Sequence, residues 1–286
     1  MIIDLHCHSS ASDGRLEPAE LARYAVEKGV GILALTDHDT TDGIEIAQSC
    51  IQDEKLPLTL VPGIELSTRW HGFEIHVVGL NIAPENPLLK TFVAEQQRFR
   101  RLRSEKICEK LFKAGFTGIH EAMQPLMDKQ MVTRAHFARY IKELGVVSNI
   151  QQAFDLYLGR KKRCWVSPQW PEIPAAIEAI HQAGGSAVLA HPAGYDLSGK
   201  WIRRLVDTFS QAGGDAMEVV SLQQAPNTRQ YLCELSQTFG LKGSMGSDFH
   251  YVTPWIDLGK TLYLPENIPP VWNDWDAYRD IFMEDA

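Results

Sequence analysis

Two histidines one residue apart, His6 and His8 in the run Asp4-Leu-His-Cys-His-Ser, interrupt an otherwise apolar stretch, and Asp13 follows in Ser-Asp-Gly. Successive side chains of a strand alternate between faces, so Asp4, His6 and His8 should point the same way. Buried imidazoles need partners, and two converging from one strand suit a metal ion. Similar residues recur after other apolar runs: His38 in Thr-Asp-His-Asp after "ILAL", Glu65 after "LVPGI", and His76 inside "FEIHVVGL". His191 follows "AVLA", and Asp248 and His250 end "GSMGSDFH". Each alone has a plainer reading: a hydrogen-bonded structural histidine, a salt-bridging glutamate, a helix-capping aspartate. Together, six histidines, two aspartates and one glutamate beside strands would be too costly to bury unpaired, and metal ions are the simplest compensation. His71, His120, His136 and His181 fall in a turn, on a helix or in the central segment, and are not counted as ligands.

The elements that must carry these residues read as βα units. Candidate strands are 1–5, 31–35, 58–61, 73–80, 186–190, 216–220 and 242–245, with helical patterns at 17–28, 173–183, 201–211 and 228–239. Seven strands in mostly βα order point to an α/β fold with a parallel, barrel-like sheet, and the polar residues sit at the strands' C-terminal ends, where barrel enzymes build active sites. The interval 83–170 is different. It is helical in pattern, with one long amphipathic helix closing at Gly115 and a shorter one, "TRAHFARYIKELG", closing at Gly145. The expected division is a barrel from 1–82 and 171–286 and a small helical insertion over 83–170.

Composition narrows the classes. The chain has 286 residues, 44% hydrophobic and 22% charged, in the range of a globular protein of this length. No run of 18 apolar residues predicts a membrane span. The start reads directly into a strand rather than a secretory leader, and five scattered cysteines without a Cys-x-x-Cys spacing predict neither a disulfide framework nor a structural zinc site. A cytoplasmic setting is the expectation. Net charge is −8 but uneven: Arg98 to Arg163 holds fifteen Lys/Arg against six Asp/Glu, leaving −17 for the rest. An acidic body that can hold cations thus carries a basic segment that can meet an anion, the plainer reading being solvated helix faces.

In order, D-L-H-C-H-S at 4–9, S-D-G at 12–14, T-D-H-D at 36–39, P-G-I-E at 62–65, His76, A-H-P at 190–192 and G-S-D-F-H at 246–250 resemble the polymerase and histidinol phosphatase (PHP) family of metal-dependent phosphoesterases. The resemblance implies a distorted seven-stranded (β/α) barrel with three divalent ions at the strands' C-terminal ends. Carried onto this chain, one ion takes His6, His8, Glu65 and Asp248, and a second shares Glu65 and adds His76 and His191. The third takes Asp13, His38 and His250. Several relatives have His where this chain has Asp13, and a carboxylate there favours Mn²⁺ over Zn²⁺, with Fe²⁺ a further option. In the implied mechanism a hydroxide held between two ions attacks phosphorus in line. Asp4 and Asp37, beside histidine ligands, suit either the orienting of imidazoles or plain hydrogen bonding at the strand ends.

"VTRAHFARYI" and "TDHDTTDG" further resemble a bacterial branch whose members remove the 3′-phosphate of nucleoside 3′,5′-bisphosphates such as pAp, relatives acting as 5′→3′ exoribonucleases on short 5′-phosphorylated RNA. The implied partner is a small nucleotide or short RNA, with neither sequence-specific DNA binding nor a membrane. The second phosphate of such a substrate calls for a cationic clamp. Arg134 is the first choice, Arg160 and Lys161 the second and His136 the third, with Phe137 or Trp165 available for base stacking. Two competing readings stay open: a histidinol-phosphate phosphatase, and a non-catalytic RNA-binding module stabilised by metal.

Overall fold

The computed structural model describes residues 1–129, 132–222, 224–278 and 281. In chain order its barrel elements begin β1 (Ile2–Cys7), α1 (Pro18–Glu27), β2 (Val30–Leu35), α2 (Asp42–Glu54), β3 (Thr59–Trp70) and β4 (Phe73–Leu80). Helices α3 (Pro87–Lys113), α4 (Ile119–Lys129), α5 (Arg134–Glu143) and α6 (Ile150–Ala153) come next. The chain then returns through α7 (Ile173–Gln182), β5 (Ser186–Leu189), α8 (Gly199–Gln211), β6 (Ala216–Ser221), α9 (Pro226–Phe239) and β7 (Lys242–Gly246).

The seven strands hydrogen-bond in sequential order, and the amide of Asp248 donating to the His6 carbonyl (2.9 Å) and that of His8 donating to Phe249 (2.9 Å) bring β7 against β1. This is the α/β barrel read from the sequence. Inside lie Leu5, Ile32, Val61, Val78, Val188 and Ala216, and the C-terminal segment plugs one end with Val271 and Trp275. All five cysteines are buried and free. Among the described residues no helix is long and apolar enough to cross a membrane.

The expectation of a parallel sheet needs one correction. β4 runs antiparallel to both β3 and β5, because only His71 and Gly72 separate it from β3 and two residues make a hairpin, never a parallel crossover. β3 is also far longer than the expected 58–61. Pro62 and Gly63, which read as breakers, lie inside it, so Glu65 stands within the strand rather than after it.

The reversal of β4 directs the chain to the opposite end of the barrel. The amide of Ala83 donates to the Ala183 carbonyl (2.8 Å), at the end of α7 that leads into β5 and away from the strands' C-terminal ends. Asn86 caps α3 by accepting from the amides of Leu88 and Leu89, with Pro87 in the first turn. α3 has 27 residues, roughly 40 Å of helix at about 1.5 Å per residue. Its early residues Leu89 and Val93 pack into the barrel's outer core. From Ile107 onward it joins a separate apolar cluster with Ile119, Phe137, Ile141, Leu158 and Cys164.

Candidate metal centre

β1, β3, β4 and the segments after β1, β2, β5 and β7 bring all nine expected residues to one place. His6 Nε2 and His8 Nε2 are 3.1 Å apart. Asp248 Oδ1 stands 3.5 Å from the first and 3.2 Å from the second, with Glu65 oxygens at 3.5 and 3.4 Å. Glu65 Oε1 lies 3.0 Å from both His76 Nδ1 and His191 Nε2, and its Oε2 lies 2.7 Å from His38 Nδ1. Asp13 Oδ1 lies 3.1 Å from His250 Nε2, and Asp13 Oδ2 lies 3.9 Å from His38 Nε2.

Backbone geometry makes the convergence possible. A Cβ on Gly246 would stand 2.3 Å from the His6 Cβ, so only glycine lets β7 lie this close to the first histidine. Asp39, His191 and Asp248 have φ of 48°, 29° and 53°, left-handed conformations that side-chain-bearing residues hold at a cost of about 1–3 kcal/mol each. Asp37 accepts from the Ser9 amide (2.8 Å), the Ser9 hydroxyl (2.6 Å) and the Ser12 hydroxyl (2.5 Å), and so shapes the loop that delivers Asp13.

Three groups of ligand atoms each lie within 4.8 Å of one another: His8, Asp13, His38 and His250; His6, His8 and Asp248; His38, Glu65 and His76. The donor set fits divalent ions on the geometry of its lone pairs. His8 Nδ1, Asp13 Oδ1, His38 Nδ1, Glu65 Oε2 and His76 Nδ1 are buried without a hydrogen bond, although several face one another at contact distance. Cations held among these close-set donors would satisfy them together.

The electrostatics of the cluster are tightly linked. Burial works against a charged His250, but Asp13 and Asp248 outweigh it and push the imidazole up to about 10. Burial and the neighbouring His250 push His8 down to about 3. Burial would raise Glu65, yet His38, His76 and His6 hold it well below the usual carboxylate range. The carboxylates of the cluster thus favour positive charge beside them, which is what a cation site requires.

Of the two readings of the supporting carboxylates, plain hydrogen bonding is the one found. The partners of Asp4 and Asp37 are backbone amides and serine hydroxyls, with no hydrogen bond to an imidazole among the described residues. Asp4 accepts from the amides of Ser247 (2.8 Å) and Gly259 (2.9 Å), because a register shift between Asp4 and Cys7 breaks the simple alternation of β1. The orienting role belongs to Glu218, which the sequence reading missed. His6 Nδ1–H donates to its Oε1 (2.6 Å), leaving the Nε2 lone pair for a metal, and the His191 amide donates to its Oε2 (2.6 Å). A lone glutamate inside the apolar run "AMEVV" was the available signal.

The basic segment is largely engaged. Arg100 donates to Asp39 Oδ2 (2.6 Å) and the Ser67 hydroxyl (2.7 Å). Arg103 and Arg134 both donate to Glu74 (2.7 Å each), as does the Trp170 indole (2.8 Å), and the Arg134 guanidinium lies 5.0 Å from the Trp165 ring centre. Arg160 and Lys161 are exposed, Arg160 lying over Phe73 at 4.1 Å. His136 is turned inward, its Nδ1 accepting from the Thr133 amide (3.1 Å), and burial pushes it down to about 4. Phe137 is fully buried and offers no face to a base. The Thr133 hydroxyl at the N-terminus of α5 donates to Asp13 Oδ2 (2.7 Å), and Arg139 donates to the Asp13 carbonyl.

Exposure is uneven across the cluster. Glu65, His6 and His8 side chains are fully buried, whereas Asp248 is 40% exposed and His250 24%. Beside Asp248 and His191 lies a cavity of about 450 Å³, also lined by Ser221, Gln224, Thr228 and Ser247, within the size range of small-molecule sites.

Known proteins agree with this geometry. The family model for the PHP domain matches residues 4–190. A 5′-3′ exoribonuclease, Rnm, from Salmonella typhimurium is 48% identical, covering 96% of this chain and 94% of the relative. A 3′,5′-nucleoside bisphosphate phosphatase from Chromobacterium violaceum is 35% identical, with 96% of each chain covered. A solved structure described as an amidohydrolase from Chromobacterium violaceum, with bound sulfate and no metal, superposes with a TM-score of 0.89 at 35% identity, covering 97% of this chain and 96% of that one. With a barrel of the expected order, the nine clustered residues and these matches over nearly its whole length, the chain belongs to the PHP domain family.

Proposed function

We propose that this protein is a metal-dependent phosphoesterase that hydrolyses the 3′-phosphate of nucleoside 3′,5′-bisphosphates and removes nucleotides 5′→3′ from short 5′-phosphorylated RNA. The observation that carries the reading is the cluster of nine candidate ligand residues beside a nucleotide-sized cavity at Asp248, in a chain alike over nearly its full length to relatives named for those two activities. Three divalent ions are the proposed complement, Mn²⁺ foremost because Asp13 brings a hard oxygen to the group with His38 and His250. Ions held there supply Lewis acidity to the phosphoryl oxygens and acidify water.

The chain's own residues do the rest. Glu65, whose two oxygens face different histidines, would be shared between ions, and Glu218 holds His6 in the tautomer that presents Nε2. The segment 83–170, with its separate apolar cluster, is proposed as the substrate-facing insertion, with Arg134 clamping the phosphate that does not react. Arg160 and Lys161 add diffuse attraction from the exposed rim. His136, neutral and buried, supports the turn before α5.

The test is a kinetic comparison of pAp, histidinol phosphate and a 5′-phosphorylated RNA trinucleotide with metal-analysed protein. Phosphate from pAp and 5′-mononucleotides from RNA are expected. Faster hydrolysis of histidinol phosphate would replace this reading, and binding of RNA without hydrolysis would favour a binding module. Glu218→Gln is expected to weaken Mn²⁺ binding about 10–100-fold, the usual cost of losing a group that orients a ligand. Titration of the metal-free variant with Mn²⁺ checks this, and unchanged affinity would remove Glu218 from the site.

A further inference from the structure

The exposed side of the centre is bordered by a strip of chain that the phosphatase reaction does not use. The Arg15 amide donates to the His250 carbonyl (2.9 Å), and the Arg15 guanidinium lies 4.8 Å from the Tyr251 ring centre. Arg139 reaches the Asp13 carbonyl from α5. Two arginines and a tyrosine thus flank Asp13 and His250. Trp255 lies four residues beyond Tyr251 and is 70% exposed, more than any other large hydrophobic side chain among the described residues. Its turn is fixed: the Thr253 hydroxyl oxygen accepts from the amides of Trp255 (3.3 Å) and Ile256 (2.8 Å). Ile256 in turn lines the cavity beside Asp248. The indole therefore stands exposed on the turn that brings Ile256 to the cavity.

An exposed indole, a phenol faced by a guanidinium and a second arginine match what single-stranded nucleic acid requires. Bases stack on aromatic faces whatever their identity, and guanidinium groups meet the phosphates. A nucleoside 3′,5′-bisphosphate and a 5′-phosphorylated RNA present the same first nucleotide and the same 3′-linked phosphorus. They differ in that the RNA phosphorus carries further nucleotides, which must leave the buried centre by its exposed side.

We propose that Arg15, Tyr251 and Trp255 form a stacking platform for the RNA nucleotides that lie 3′ of the scissile phosphate. The proposal rests on the phosphoesterase reading and assigns the RNA reaction a surface that the bisphosphate never reaches. Trp255→Ala and Tyr251→Ala are expected to lower kcat/KM on a 5′-phosphorylated RNA pentanucleotide about tenfold or more, as loss of a base–aromatic contact does. Hydrolysis of pAp should change less than about twofold, and Trp255→Phe should restore most of the RNA activity, because an aromatic face remains. Equal losses on both substrates, or none on RNA, would overturn the platform. A wild-type protein that hydrolyses neither substrate would instead overturn the phosphoesterase reading. The platform would then be decided by binding of a 3′-fluorescein-labelled RNA pentanucleotide: weaker binding to Trp255→Ala supports it, and unchanged binding refutes it.

Discussion

Glu65→Gln is expected to lower kcat/KM for pAp by about 10³-fold or more, which is roughly 4 kcal/mol of transition-state stabilisation. The side chain is fully buried in the middle of β3, with imidazole nitrogens of five histidines within 3.5 Å of its two oxygens. Glutamine keeps the shape but replaces one anionic oxygen by an amide nitrogen that cannot bind a cation. A carboxylate between two ions serves both, so its loss should reduce the number of ions held as well as the rate. Metal content and kinetics measured on the same preparations check this. Wild-type protein holding about one ion per chain with full activity, or a variant retaining its ions and its rate, would reject a multinuclear centre organised by Glu65.

Arg134→Ala should cost about 2–5 kcal/mol in kcat/KM for pAp, the range for removing one partner of a buried charge pair, and far less for 3′-AMP, which lacks the second phosphate. The Glu74 carboxylate at 2.7 Å and the Trp165 ring fix the guanidinium in place, and a guanidinium has five donors, more than Glu74 uses. Metal content should not change, since Arg134 contacts Glu74 and not the cluster. Equal losses on the two substrates would show that the residue holds the reacting phosphate or only steadies the insertion.

The nine clustered residues were legible in the sequence because their types are expensive to bury. A histidine or carboxylate at the end of an apolar strand run demands an explanation, and nine in order have few. Glu218 escaped because a single glutamate in an apolar run reads equally well as a solvent-facing position. Only the fold brings it within 2.6 Å of His6, 212 residues away. The direction of β4 is readable in Trp70-His71-Gly72-Phe73, which is a hairpin signal, whereas the count of strands alone suggests βα repetition. Charge counting gave the basic excess between Arg98 and Arg163 but not its fate. Arg100 and Arg103 are buried against Asp39 and Glu74, pairings that depend on where α3 crosses the barrel.

The contacts of Glu74 have a consequence for how the insertion can vary. Arg103, where the chain leaves the barrel, and Trp170, where it returns, are both held by this one carboxylate, and the Arg69 amide donates to the Pro171 carbonyl (2.9 Å) just beyond. The excursion between them thus has its two ends clamped together at a neck. For a clamped loop the entropic cost of length grows only logarithmically, about 0.6 kcal/mol for each doubling. Residues can therefore be gained or lost in the outer turns of the excursion with little burden on the barrel, whereas Thr133, Arg134 and Arg139, which reach back to Asp13 and Glu74, tie α5 to the centre.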